Sequence, residues 1–154
     1  MSKVYVCAVR MLARREHGAH ELAQKLVQKG YTSCEVEAVI KECQRLGLQS
    51  DARFAESLTR TRVRQGYGFV RIQKELENLQ IDDGLVADAL HGSQVNWLDC
   101  AIAVKNKKFP QDDHLSFAIM QKQKKFLYYR GFPVDVINLV FKNIKLYDNE
   151  NFRN

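Results

Sequence analysis

The chain has only two prolines, Pro110 and Pro133, in 154 residues. So little proline leaves nearly every backbone amide free to donate in a helix interior. The β-branched alternation that builds strands is scarce, while Leu, Ala, Glu, Gln, Lys and Arg are plentiful, so an all-helical chain is expected. Cys7, Cys34, Cys43 and Cys100 form no CxxC pair and match no zinc framework. Each lies among apolar neighbours in a helical pattern, which predicts buried thiols of a reduced, cytoplasmic protein. No run approaches the ~20 apolar residues of a membrane span. The Val4 to Val9 run is too short for a signal peptide and leads into Arg10, Arg14 and Arg15. There is no Ser/His/Asp or Cys/His set, no phosphate loop and no pair of carboxylates in an apolar setting. Enzyme activity is therefore not expected, and no cofactor is implied. His17 and His20, beside Glu16 and Glu21, make half a metal site, but no third ligand follows at suitable spacing.

What is present is charge, unevenly placed. The net charge is +6, which favours anionic partners without requiring one. Residues 1–50 carry 8 Lys/Arg against 5 Asp/Glu, residues 51–95 carry 6 against 7, and residues 96–154 carry 10 against 6. Five of the six basic residues of the middle stretch fall between Arg60 and Lys74.

The apolar residues return in a fixed plan. A helix is expected over Tyr5 to Arg15, with Ala8, Met11 and Leu12 facing inward. A second is expected from Ala19 to Lys29, with Leu22 and Leu26 at i, i+4. Gly30 should cap it in the left-handed conformation, with Tyr31 folding back. Thr32 and Glu35 fit a capping box, and Val36, Val39, Ile40, Cys43 and Leu46 give a third helical face. Gly47 ends it. Ser50 then caps a helix with Phe54, Leu58 and Thr61 inward, broken by Gly66-Tyr67-Gly68. Ile72, Leu76 and Leu79 stripe the next helix; Ile81, an Asp82 or Asp83 cap, and Leu85, Val86, Ala89 and Leu90 follow, with Gly92 as the stop. Asn96 opens a third round with Trp97, Cys100, Ala101 and Val104. A polar loop around Asp112-Asp113, a helix from Ser116 to Arg130, the turn Gly131-Phe132-Pro133, and Ile137, Val140, Phe141 and Ile144 complete it.

The internal match is gapless. Leu26…Gly30-Tyr31…Val36…Ile40 aligns with Leu76…Gln80-Ile81…Val86…Leu90 and with Leu127…Gly131-Phe132…Ile137…Phe141. One copy of this length has a marginal core, whereas three stacked copies share one. Three repeats are expected, 1–48, 49–94 and 95–146, with 147–154 a flexible tail. The fold class is all-α: three tandem three-helix (helix-turn-helix-like) repeats stacked into an elongated, curved array.

Particular blocks resemble a known family. Arg14-Arg15-Glu16-His17 with Glu21 to Leu26 and Lys29-Gly30-Tyr31 resembles the first repeat of the RecX regulatory proteins. Phe54-Ala55-Glu56 with Gly66-Tyr67-Gly68-Phe69-Val70-Arg71-Ile72-Gln73-Lys74-Glu75-Leu76 resembles the second. Trp97, Lys107-Lys108-Phe109, Lys125-Phe126-Leu127 and Arg130-Gly131-Phe132 resemble the third. The resemblance spans about Leu12 to Asn143. It implies three tandem three-helix repeats and binding to the RecA recombinase as a filament on single-stranded DNA. It further implies restraint of the ATPase, strand-exchange and coprotease activities of RecA. Three positions depart from the family pattern. Phe69 stands where Pro is usual, Gln80 where Gly is usual, and Pro133 where Ser or Thr often caps. Phe69 should cost a rigid turn and Gln80 an easy left-handed conformation, while Pro133 can start its helix at N1.

The residues available for partner or nucleic-acid binding are cations and one ring. Arg60 and Arg64 share a helix face and Arg62 points away, toward the edge of the buried side. Arg71 and Lys74 lie one turn apart on the next helix. Arg71 sits near a helix start, where the macrodipole disfavours a cation, so something outside the helix should reward it. Tyr67 is either a core plug or a stacking surface. Lys105, Lys107, Lys108, Lys122, Lys124, Lys125 and Arg130 form a second cluster, read equally as dipole compensation or as a polyanion-binding surface. Arg14, Arg15, Lys25 and Lys29 form a weaker third. The expected partners are a RecA filament and single-stranded DNA with or through it, with weak duplex binding as an extension; no membrane partner is expected, and a monomer is the default. The competing function is a helix-turn-helix protein acting directly on DNA. Against it, the would-be reading helices expose Glu35, Glu37 and Glu42, and Asp83 and Asp88.

Overall fold

The computed structural model describes residues 1–92, 94–110, 114–142 and 145–146. Among them nine helices follow the expected three-by-three order: α1 Lys3–Arg14, α2 Ala19–Gln28, α3 Ser33–Arg45, α4 Asp51–Arg64, α5 Phe69–Asn78, α6 Asp83–His91, α7 Trp97–Lys108, α8 Phe117–Arg130 and α9 Val134–Val140. The one addition is a two-residue parallel pairing of β1, His114–Leu115, with β2, Lys145–Leu146. The tail 147–154, the Asp112-Asp113 loop and Ile144 lie outside the described residues.

The chain packs as two compact units. The first comprises Met1–Arg60 and Lys74–Ser93; the second comprises Thr61–Gln73 and Gln94–Asn154. In the first, α1, α2 and α3 pack on one another around Val4, Ala8, Leu22, Leu26, Val36, Val39, Ile40 and Cys43. In the second, α7, α8 and α9 enclose Ala101, Met120, Leu127, Phe132, Ile137 and Phe141.

The turn between the second and third helix of each repeat is the same device three times. Tyr31, Ile81 and Phe132 donate their amides to the carbonyls of Leu26, Leu76 and Leu127, at 3.3, 3.1 and 3.1 Å. The residue before each one donates to Val27, Glu77 and Tyr128. This is the Schellman pairing, which satisfies two orphan helix carbonyls and needs a left-handed residue. Gly30 and Gly131 supply it with φ of 101°, and Gln80 adopts it too, at φ 59°. The turn is thus intact with Gln where Gly is usual, and the expected loss of ease is carried by a left-handed residue that is not glycine. Leu76 and Ile81 seal it from both sides, both buried, and hold the strained residue in place.

Other departures have local causes. α4 buries Phe54, Ala55 and Thr59, not Thr61. Thr59 fits there because its hydroxyl donates to the Ala55 carbonyl at 2.7 Å, so no polar atom is orphaned. Leu46 caps α3 and is 45% exposed, because the inward face ends one turn earlier, at Cys43. Pro133 is the N-cap of α9, extended at ψ 156°, not its first helical residue. Cys34, in the first turn of α3, is exposed, while Cys43 alone is fully buried among the four thiols.

Candidate partner-binding surface

The elbow Gly66-Tyr67-Gly68 belongs to the second unit, and it meets the Arg130-Gly131-Phe132 turn there. The first amides of a helix and the last carbonyls of a helix have no partner within their own element. Here they satisfy each other. The Gly68 amide donates to the Arg130 carbonyl at 2.8 Å, and the Val70 amide donates to the Gly131 carbonyl at 2.9 Å. The approach is too close for side chains: a Cβ on Gly68 would stand 2.4 Å from the Gly131 carbonyl carbon, and one on Gly131 would stand 2.5 Å from Arg71 Cβ. The start of α5 and the end of α8 are thereby joined backbone to backbone.

This joint brings two arginines to one ring. The Arg71 guanidinium lies 4.0 Å from the centre of Tyr67, and that of Arg130 lies 5.1 Å from it. Arg130 also stands 5.4 Å over Phe126 and donates to the Gln65 carbonyl at 3.3 Å. The ring offsets the poor position of Arg71 in the first turn of α5, since stacking over an aromatic face is attractive by about 0.5–1 kcal/mol at an exposed site. Tyr67 is half-buried, neither a core plug nor an open platform. Phe69, the first residue of α5, sets its ring 6.0 Å from Trp97.

Beside the joint lies a cleft of about 410 Å³. Val63, Cys100, Ala103 and Val104 line it together with Arg64, Lys107, Lys108, Phe126 and Arg130. Arg64, Lys107 and Lys108 are exposed and make no ion pair among the described residues. Lys122 and Lys125 are exposed on α8, three residues apart, and Lys125 Nζ stands 5.7 Å from Tyr129.

Not every expected contact residue reaches this surface. Lys105 is 6% exposed, with Nζ 5.2 Å from Phe141. The inward face of α7 passes through its position, so it contributes to the interior and not to a contact face. Lys124 is half-buried, 5.8 Å from Phe141 and donating to Asn138 Oδ1 at 3.3 Å. Arg62 is half-buried and donates to Gln65 Oε1 at 2.8 Å. Arg60 and Lys74 are exposed on portions of α4 and α5 that belong to the first unit. The residues that sequence reasoning passed over are Tyr128 and Tyr129, 61% and 65% exposed. Their signal was available: two tyrosines following three lysines on one helix.

The first unit handles charge otherwise. Arg15 donates two hydrogen bonds to Glu21, at 2.9 and 3.1 Å, and Arg53 bonds Glu16 at 2.9 Å. Lys41 pairs with Glu37 and Arg45 with Glu42. Burial pushes the Glu21 carboxyl up, but the hydrogen bonds and charge of Arg15 outweigh it and hold the group below its ordinary value. His17 is buried, its Nδ1 3.0 Å from the Arg15 carbonyl, and burial lowers its pKa. The third basic patch is therefore partly neutralised: Arg15 is committed to Glu21. Arg10, Arg14 and Lys29 instead line a groove beside α1 with Val6, Cys7 and Met11.

Counting the sequence by unit, the first carries 11 Lys/Arg against 12 Asp/Glu, net −1, and the second 13 against 6, net +7. The whole positive excess sits in the second unit. These features define an all-helical protein of three tandem three-helix repeats, with a cation-rich, aromatic-lined surface on one unit. The RecX first, second and third three-helix domains match residues 5–43, 50–90 and 96–141. Regulatory protein RecX of Legionella pneumophila is 47% identical over 145 residues, covering 94% of this chain and 97% of that protein. Its counterpart from Halorhodospira halophila is 38% identical, covering 84% and 81%. The crystal structure of RecX from Lactobacillus salivarius has the same fold, with a TM-score of 0.75 at 23% identity, over 92% of this chain and 94% of that one. The chain belongs to the RecX family of regulatory proteins.

Proposed function

We propose that this protein is a negative regulator of RecA: it binds the RecA–single-stranded DNA filament and inhibits its ATPase, strand-exchange and coprotease activities. The observation that carries this reading is the charge division between the units, −1 against +7. The DNA in such a filament repeats a phosphate charge along its length. Each exposed cation contributes little alone, ~0–1 kcal/mol, but several acting together add up and weaken with salt. The contact set is Arg64, Arg71, Lys107, Lys108, Lys122, Lys125 and Arg130, with Tyr67 holding two of them and Arg60 and Lys74 as outlying contributors. The protein acts by binding and needs no cofactor.

Direct reading of duplex DNA is the weaker alternative. The third helices of the first two repeats expose Glu35 and Glu37, and Asp83 and Asp88, which would face phosphates of the same sign.

The test is a titration into RecA assembled on single-stranded DNA with ATP, following ATP turnover, with bare duplex and bare single strands titrated in parallel. Loss of turnover at sub-stoichiometric protein, relieved by added salt, is expected. Tight duplex binding with turnover untouched would sink the proposal and leave the helix-turn-helix reading.

A further inference from the structure

The cleft beside the elbow has a floor and a rim of opposite character. Val63, Ala103 and Val104 give an aliphatic floor, Arg64, Lys107, Lys108 and Arg130 stand around it, and among the described residues no carboxylate lines it. Its aromatic wall is already engaged. The Phe126 ring carries the Arg130 guanidinium at 5.4 Å and meets Phe109 edge-on, also at 5.4 Å. A nucleic-acid strand gains most where bases find open ring faces, and the one ring among the described residues lining this cleft already carries Arg130 and Phe109. A carboxylate needs only the cations, and an aliphatic side chain needs only the floor.

We infer that this cleft takes an acidic peptide segment of a protein partner, with one aliphatic side chain seated between Val63 and Val104 and flanking Asp or Glu residues on the Arg64, Lys107 and Lys108 rim. The inference rests on the second unit being the partner-binding surface, and it names the chemistry of what the partner presents. The aliphatic anchor fixes position in the cleft, and the acidic flanks complement the cationic rim.

The thiols provide the readout. Cys100 lines this cleft, Cys7 lines the groove beside α1, and Cys34 is exposed on α3. Alkylation of each thiol in the full chain is followed by mass spectrometry with three probes. They are a peptide of about a dozen Asp and Glu residues with a central Leu, the same peptide with Ala at the centre, and an oligothymidylate. The Leu peptide should slow alkylation of Cys100 by about five-fold or more at saturation, leaving Cys7 and Cys34 unchanged. The Ala peptide should lose most of that protection. Ala103→Trp, which fills the floor and keeps the rim, should abolish it without altering the Cys34 rate or the helical circular dichroism.

Equal protection by the Ala and Leu peptides, protection at Cys7 in place of Cys100, or no protection at millimolar peptide each overturns the inference. Oligothymidylate protecting Cys100 as well as the Leu peptide does so too and makes the cleft a nucleic-acid site. RecA turnover keeps the two readings apart. If Arg64→Glu with Lys107→Glu relieves inhibition while no peptide protects Cys100, the regulatory reading stands and the peptide inference falls.

Discussion

In the first unit Arg15 ends on Glu21 and Arg53 on Glu16; in the second, Arg71 and Arg130 end on the ring of Tyr67. Both arrangements hold a long side chain still, but they leave different charge behind. A carboxylate cancels the cation it holds, whereas a ring orients the cation and leaves its charge whole. The same three-helix plan therefore yields one unit that is nearly neutral and one that is strongly positive. Repetition of fold does not repeat the surface, and the surface decides the partner.

The comparison can be pressed at matched positions. Gly30 and Gly131 occupy the same place in the first and third repeats, both at φ 101°. Around Gly30 nothing lies within 4 Å of an added Cβ, whereas at Gly131 it meets Arg71 Cβ at 2.5 Å and Arg71 N at 2.8 Å. Gly131→Ala should therefore cost about 3 kcal/mol or more, combining left-handed strain with backbone displacement. Gly30→Ala should cost only the strain, roughly 1–2 kcal/mol. Urea unfolding followed by the fluorescence of Trp97 for the second unit, and by circular dichroism for the chain, measures both. Equal costs would mean that the joint of α5 and α8 is not the fixed point of the second unit.

A smaller effect of opposite sign is expected at the middle repeat. Gln80→Gly should stabilise by about 1 kcal/mol, because it removes the left-handed strain from a turn whose hydrogen bonds already exist. A loss of stability there would show that the Gln80 side chain has a compensating role. Smaller again is the stack: Tyr67→Leu should cost about 0.5–1 kcal/mol through Arg71 and Arg130, and Tyr67→Phe should restore most of it. If Phe behaves like Leu, the hydroxyl and not the ring holds the arginines.

The last effect is a slope. His17 is held below its ordinary value of 6.5 by burial, so the unfolded chain binds the proton first as pH falls. Its contribution to stability is complete above about 6.5 and is lost as pH drops through that value toward the folded one. His17→Asn should flatten this part of the pH profile. An unchanged slope would move the acid sensitivity elsewhere.

Much of this architecture was legible in the sequence because a plug residue must follow every second helix. Leu26-Tyr31, Leu76-Ile81 and Leu127-Phe132 show that spacing without gaps. The capping box at Thr32 and the caps at Ser50, Asp82 and Asn96 are local rules, and they hold. What local rules do not reach is pairing across the chain. The elbow at Gly68 meets the carbonyl of Arg130, 62 positions away, and that union assigns Thr61–Gln73 and its three arginines to the second unit. Counted along the chain, the middle repeat is near neutral; counted by packing, three of its five arginines join the positive side. Lys105 misleads for a related reason. A lysine in the last turn of a helix reads as dipole compensation on the surface, and only tertiary packing shows it covered.

The central claim is that the uncancelled cations of the second unit make the regulatory contact. The most direct measurement compares two variants of equal net charge. In one, Arg64, Lys107, Lys108 and Lys125 are changed to Glu; in the other, Lys3, Arg10, Arg14 and Lys29 are. Each is titrated into RecA filaments on single-stranded DNA with ATP turnover as readout. The second-unit variant should lose inhibition by about a hundred-fold or more, and the first-unit variant should stay within a few-fold of the parent. Equal loss in both would reduce the effect to bulk charge, and loss confined to the first-unit variant would contradict the account outright.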